Sequence, residues 1–322
     1  MTSPIALLLP GQGAQYPGMA VELYGAEPVF TAAMDEFFSL MGAVGAGLRA
    51  DWLSDHPVVP LDDASRAQPL LFAIGYALGR ALIARGIVPS VLIGHSVGEL
   101  AAAALAGVYD PPGAARIILA RYEAMATAPA GGLLAVSAAA GDVERHLDAR
   151  SHEGGVGIAA INAPGITVLA GPEAELVRIR EVLAGNGISA MRVGSRQPFH
   201  CPAVAAAGEK FEAGFAGVTL RPPRIPIVST RTARVVTPEE AVTPGFWARQ
   251  LDAPVLFWPA LDTLLSAGAY TVVEAGPGKG LSMLARKHPA VRAKRSTVVS
   301  LSPSRASGTL TAWHAGLDHL TT

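Results

Sequence analysis

The segment Gly94-His95-Ser96-Val97-Gly98 carries a serine at the spacing G-x-S-x-G. It lies between a short apolar run, Val91-Leu92-Ile93, and an alanine-rich stretch beginning near Glu99 that reads as a helix. Strand before and helix after is the context in which this spacing presents a nucleophile: small residues on either side let the chain turn sharply and lift the hydroxyl clear of the sheet. The same turn sets Ser96 at a helix N-terminus, where free N–H groups favour developing negative charge. The plainer alternative is a tight turn with an N-capping serine. A nucleophilic serine needs a base, and the chain has eight histidines. His95 adjoins the serine, so its ring should point away from it. His56, His146 and His152 lie in polar or loop surroundings, and His288, His314 and His319 near the C-terminal end. His200, in Pro198-Phe199-His200-Cys201-Pro202, occupies a stiff loop of the kind that carries functional side chains on a scaffold; a structural role is the other reading. Arg121 lies on a predicted helix over 113–126, on a stripe with Ile117, Ala120, Ala124 and Met125, away from Arg116 and Glu123. It is therefore expected to point into protein, where either an internal carboxylate or a bound anion must pair with it.

The elements that must position these residues alternate between strand and helix. A buried-strand pattern over 5–9 leads into the glycine turn 11–15, helices are expected over 29–41 and 68–85, and the run 91–93 reads as a buried parallel strand. From 130 the texture changes: strand 133–137, helix 142–149, strand 156–161, strand 167–170, helix 173–184, strand 189–193. That order is the split βαβ, ferredoxin-like pattern. Alternation then resumes with a strand over 225–229, helices near 246–250 and 255–267, a strand over 270–274 and the turn Gly276-Pro277-Gly278. The expected fold class is α/β: a parallel-sheet core from 1–129 and 198–322 with a ferredoxin-like subdomain over 130–197 inserted in it.

Composition narrows the function classes. Of 322 residues half are hydrophobic and only 16% charged, which excludes a disordered chain. Twenty-five basic residues against 26 acidic ones give a net charge of −1, which argues against broad binding to nucleic acid. The one cysteine, Cys201, excludes an internal disulfide or multi-cysteine metal site, and no metal is expected. The longest apolar stretch, 69–89, is interrupted by Arg80 and Arg85, and the N-terminal apolar run ends at Pro10-Gly11, so neither a membrane span nor a signal peptide is expected. A reducing cytoplasm is the default compartment, and the length suggests a stand-alone protein.

These motifs, taken in order, resemble the malonyl-CoA:acyl-carrier-protein transacylases and the acyltransferase domains of polyketide synthases. The resemblance runs through PGQGAQYPGM (10–19), AQPLLFAIGYAL (67–78), GHSVGELAAA (94–103), GGLLAV (131–136), NAPGITVLAG (162–171), PFH (198–200), FWARQLDAPVLF (246–257) and VVEAGPGKGL (272–281). It implies a hydrolase-like α/β core with the ferredoxin-like insert. It implies that Ser96 accepts the acyl group, that His200 is its general base and later acid, and that the Gln250 backbone carbonyl orients that histidine. The Gln12 and Val97 backbone N–H groups take the place of the family's oxyanion hole. Arg121 falls where the family holds the free carboxylate of a malonyl group, which now favours a substrate seat over an internal salt bridge. Met125, Phe199, Gln68 and Asn162 join it as substrate-binding positions, with Phe199 and Val97 fitting the malonyl pattern.

The resemblance further implies ping-pong transfer of a malonyl group from CoA, through acyl-Ser96, to the phosphopantetheine thiol of an acyl carrier protein, with no resident cofactor. The basic residues Arg286, Lys287, Arg292, Lys294 and Arg295 could steer an acidic carrier; a solvated face is the alternative. The chain departs from the family around the acyl pocket: Tyr122 stands where glycine is usual, Cys201-Pro202-Ala203-Val204 follows the histidine, and Arg196-Gln197 precedes Pro198. These changes bear on the acyl group more than on the chemistry. Three rivals remain: a serine esterase or thioesterase, a non-catalytic carrier-binding module, and a transacylase moving another acyl group between carrier proteins.

Overall fold

The structure, a computed structural model, describes residues 3–321. Strands among them are β1 Ile5–Leu9, β2 Val91–Gly94, β3 Gly132–Val136, β4 Gly157–Ala163, β5 Ile166–Gly171, β6 Ala190–Val193, β7 Thr271–Glu274 and β8 Thr297–Ser300. They form two sheets. The first, of four strands, has the order β2-β1-β7-β8 and every pairing in it is parallel. Leu9 stands opposite Gly94 and Leu8 opposite Glu274, so the turns that leave β1, β2 and β7 emerge along one edge. In an open parallel sheet the carboxyl edge is where loops gather into a site.

Helices cover both faces, which is why these strands read as continuous apolar runs. Leu7 and Leu9 of β1 face a core shared with the helices Ala64–Ala84 and Val97–Leu105, while Ala6 and Leu8 face one shared with the helix Phe257–Ala267. The helix Ala64–Ala84 is long and apolar enough to cross a membrane, but most of it is buried inside the protein as the central core helix. Helix starts follow local capping chemistry: Asp63 accepts from the Ser65 N–H, and Asp110 accepts from the Gly113 N–H ahead of Pro111.

The second sheet, also of four strands, has the order β4-β5-β3-β6 with antiparallel neighbours, the ferredoxin-like arrangement its element order predicts. Its first predicted helix, 142–149, is instead two short ones, Ala140–Glu144 and Ala149–Glu153. Asp148 starts the second by accepting the Ser151 N–H, which breaks the run. The predicted strand 225–229 is also revised. It meets β2 through one parallel bridge, Leu92 to Ile227, held by Leu92 N–H to Pro226 O and Val228 N–H to Leu92 O. Pro222, Pro223 and Pro226 lack the N–H groups that a longer ladder needs. The helix expected from 255 begins at Phe257, because the Val255 main chain bonds Ala159 and Ile161 of β4 instead.

Candidate active site

Ser96 sits where β2 ends and the helix Val97–Leu105 begins, with φ 54° and ψ −120°. A non-glycine residue held there stores about 1–3 kcal/mol of strain and persists only when its surroundings fix it. The two glycines of the motif are the fixing elements: a Cβ on Gly94 would overlap the Glu99 main-chain nitrogen, and one on Gly98 would overlap the Leu9 carbonyl oxygen. Ser96 caps nothing with its side chain, which disposes of the N-cap alternative. Its hydroxyl lies 2.7 Å from His200 Nε2.

His200 is likewise at positive φ (65°), in a loop pinned by its own N–H to the Leu251 carbonyl. Nδ1 lies 2.8 Å from the Gln250 carbonyl oxygen and 3.1 Å from that of Ala253. Carbonyls only accept, so Nδ1 carries the proton and Nε2 presents its lone pair to the Ser96 hydroxyl. Burial, and then the positive charge of Arg121, push the imidazole down to about 3, which keeps Nε2 unprotonated at neutral pH. The Gln250 carbonyl stands where the family motif implies, and the Ala253 carbonyl beside it is a second acceptor that the motif does not reveal.

Arg121 is buried, 1% exposed, on the helix Pro111–Met125. No carboxylate of the described residues pairs with it. Its Nε donates to Gln68 Oε1 at 2.8 Å, its Nη2 lies 3.5 Å from Ser96 Oγ, its guanidinium lies over the Phe211 ring, and its Nη1 has no partner. Burial lowers its pKa to about 10, so it remains a cation. Gln68 in turn donates through Nε2 to Gln12 Oε1 at 2.8 Å. A polar chain thus runs from the β1 turn to the serine, ending in a buried charge without a counter-ion. Such a group is costly unless an anion from outside completes it. Arg121, Gln68, Val97 and Met125 line a cavity of about 200 Å³, together with Ile118, Tyr122, Ser65 and Gln197. Tyr122 and Gln197 are visible in the sequence as departures from the family pattern, but their place in the cavity wall is not.

The remaining expected residues divide. The Gln12 and Val97 main-chain N–H groups meet no acceptor among the described residues, as an oxyanion site requires. Phe199 is buried with its ring 6.3 Å from that of His200, outside the lining of the Arg121 cavity. Asn162 accepts from His95 Nε2 at 2.9 Å, and burial lowers the His95 pKa, so this second histidine stays neutral and bonded away from the serine. Gln12, His95 and Asn162 line a separate groove of about 480 Å³ with Lys279 and Met283. Arg286, Lys287, Arg292, Lys294 and Arg295 are all exposed, and none of them lines that groove.

A sequence profile of the family described as the acyl transferase domain matches residues 7–304. The chain is 35% identical over 286 residues to a phenolphthiocerol/phthiocerol polyketide synthase of Mycobacterium tuberculosis, a match that covers 88% of this chain and 19% of that protein. It thus spans about a fifth of that relative's length. Among solved structures, the acyltransferase domain from the second module of the salinomycin polyketide synthase superposes with a TM-score of 0.89 at 33% identity, over 98% of this chain and 73% of that one. A malonyl-CoA:acyl carrier protein transacylase from Xanthomonas oryzae pv. oryzae superposes with a TM-score of 0.88 at 29% identity, over 99% of each.

Proposed function

The chain belongs to the acyl transferase domain family, and from that premise we propose that it moves a malonyl-type acyl group from CoA, through an ester on Ser96, to the phosphopantetheine thiol of an acyl carrier protein. One observation carries the choice of acyl group: the unpaired Nη1 of a buried arginine whose Nη2 lies 3.5 Å from the serine hydroxyl. A dicarboxylic acyl chain puts its thioester carbon at Ser96 and its free carboxylate on that guanidinium, and a neutral acyl chain leaves the charge unmet.

Ser96 Oγ attacks the thioester carbonyl as its proton passes to His200 Nε2. The Gln250 and Ala253 carbonyls hold the Nδ1 proton and steady the imidazolium. The Val97 and Gln12 amides take the oxyanion, a contribution of roughly 3–4 kcal/mol per donor in comparable sites. Collapse expels the CoA thiolate, which takes the proton back from His200. The carrier thiol then repeats the sequence against the acyl-serine, with His200 first as base and then as acid. The groove bearing Gln12, His95 and Asn162 is the path we assign to the phosphopantetheine arm. The basic residues Arg286, Lys287, Arg292, Lys294 and Arg295 are the surface we assign to an acidic carrier.

The testing experiment is intact-protein mass spectrometry of the chain with a panel of acyl-CoAs, followed by addition of holo-carrier protein. The expected result is a malonyl adduct on Ser96 that persists in water and discharges onto the carrier. Rapid loss to water instead would make the protein a thioesterase, and no adduct with any donor would leave it a non-catalytic binding module.

A further inference from the structure

Beneath the bend that carries Ser96 lies a buried carboxyl group that the transfer chemistry leaves unused. Glu99, 1% exposed, stands in the first turn of the helix Val97–Leu105, with its N–H bonded to the Ser96 carbonyl at 2.8 Å. Its Oε2 accepts the Thr230 N–H at 3.0 Å and lies 2.5 Å from Thr230 Oγ1. Thr230 Oγ1 also lies 2.9 Å from the carbonyl oxygen of Gly94, two residues before the serine. A threonine hydroxyl has one proton, and a carbonyl can only accept. Both contacts are hydrogen bonds only when Thr230 donates to Gly94 and the Glu99 carboxyl donates to Thr230.

The surroundings agree. Glu99 forms no ion pair among the described residues, and burial raises its pKa against the hydrogen bonds of Ser229 and Thr230 and the charge of Arg231, which pull it down. The charged and titratable groups nearest to it make their own hydrogen bonds elsewhere: Tyr109 donates its hydroxyl to the Leu100 carbonyl, and Arg231, whose charge still reaches Glu99, bonds the Phe246 carbonyl with its guanidinium over the Phe246 ring. Thr230 reaches in a second direction too. Its carbonyl accepts the Leu256 N–H at 2.5 Å, in the same short segment as the Ala253 carbonyl that meets His200 Nδ1.

We propose that Glu99 and Thr230 form a clamp in which a neutral Glu99 donates to Thr230, Thr230 donates to the Gly94 carbonyl, and the pair thereby fixes the bend bearing Ser96 against the segment that orients His200. These are positioning residues. They touch neither substrate nor the reacting atoms, and they act by setting the distance between nucleophile and base. The inference rests on the Ser96–His200 reading of the site and is independent of which acyl group is carried.

Its test uses the whole chain and a probe that needs no acyl donor, the rate at which phenylmethylsulfonyl fluoride labels Ser96. Thr230→Val deletes the hydroxyl and keeps the shape. It is expected to slow labelling and malonyl acylation of the folded protein together, by about ten- to a hundredfold, with unchanged half-saturation for malonyl-CoA. Thr230→Ser keeps the hydroxyl and is expected to restore the rate. Glu99→Gln can donate to Thr230 Oγ1 or accept the Thr230 N–H but not both through one atom, so its labelling rate is expected to fall between those of the parent and Thr230→Val. An infrared difference spectrum at pH 7 between the parent and Glu99→Gln is expected to show loss of a protonated-carboxyl band, a readout that does not depend on activity or on the valine variant folding. Loss of ionised-carboxylate bands, or a valine variant that labels at the parent rate and merely melts earlier, overturns the clamp. Normal labelling of the parent with no uptake from any acyl-CoA refutes the acyl-transfer reading and leaves the clamp standing.

Discussion

Replacing Arg121 by alanine separates the role of this charge from general damage to the site. In the structure the guanidinium is buried, held through Nε by Gln68, and has Nη1 free and Nη2 directed towards the serine. A malonyl carboxylate seated there exchanges water for a desolvated, hydrogen-bonded cation. Removing one partner of such a pair costs about 3–5 kcal/mol, because the other charge stays buried and unmatched. At about 1.36 kcal/mol per decade this is a loss of about two to four decades in malonyl acylation. Acetyl transfer makes no use of the guanidinium, and in the parent protein it must leave that charge unpaired, so Arg121→Ala is expected to hold or raise it. The assay is single-turnover acylation of Ser96 by malonyl-CoA and acetyl-CoA, read by intact mass and normalised to the fraction of protein that phenylmethylsulfonyl fluoride can label. Equal losses for both donors would refute the carboxylate seat.

The pH dependence follows from His200. Its folded pKa is depressed to about 3 from an ordinary value near 6.5, by burial first and by Arg121 second. The catalytic base therefore stays neutral as pH falls, and acylation by free enzyme is expected to be flat from about pH 8 to about pH 5, without a bend near the ordinary histidine value. The same depression means that the unfolded chain takes up a proton the folded one refuses, so this group's contribution to stability is intact above about pH 6.5 and is lost as pH falls towards about 3; a urea titration series checks it. Because Arg121 lowers the His200 pKa, Arg121→Ala is expected to move the acid limb of the labelling rate to higher pH, and an unmoved limb contradicts the coupling. Gln68→Ala leaves Arg121 Nε without its acceptor, a loss of about 1–3 kcal/mol, and is expected to lower malonyl kcat/KM by roughly tenfold to a hundredfold while sparing acetyl. Phe199→Ser opens space beside His200 and is expected to raise methylmalonyl over malonyl by about tenfold, within what one methyl group can discriminate; an unchanged ratio places size selection on the Tyr122 and Gln197 side of the cavity.

Legibility in the sequence tracks how local each cause is. The bend at Ser96 is legible because its causes lie close by: Gly94 and Gly98 are required by contacts with Glu99 and Leu9 that no side chain could share. Helical periodicity correctly turns Arg121 inward, but its neighbour Gln68 is 53 residues away and no period connects them. His200 is 104 residues from Ser96, so residue type and loop context alone leave its role open, and only the order of motifs singles it out. The second carbonyl on its Nδ1, from Ala253, carries no signal at all, since a main-chain oxygen looks the same at every position. Where the structure departs from expectation, a local cause outweighs the periodic one. Proline spacing keeps 225–229 from forming a ladder, and the capping power of Asp148 divides one expected helix into two.

The most direct measurement is a crystal structure of the parent chain with its serine acylated by malonyl-CoA, the crystals being frozen in the absence of any carrier protein. The expected density is an ester on Ser96 Oγ, with its carbonyl oxygen on the Val97 and Gln12 amides and its free carboxylate paired with Arg121. Malonyl density on another side chain, or a malonyl-Ser96 whose carboxylate points to solvent and leaves Arg121 unpaired, would contradict it.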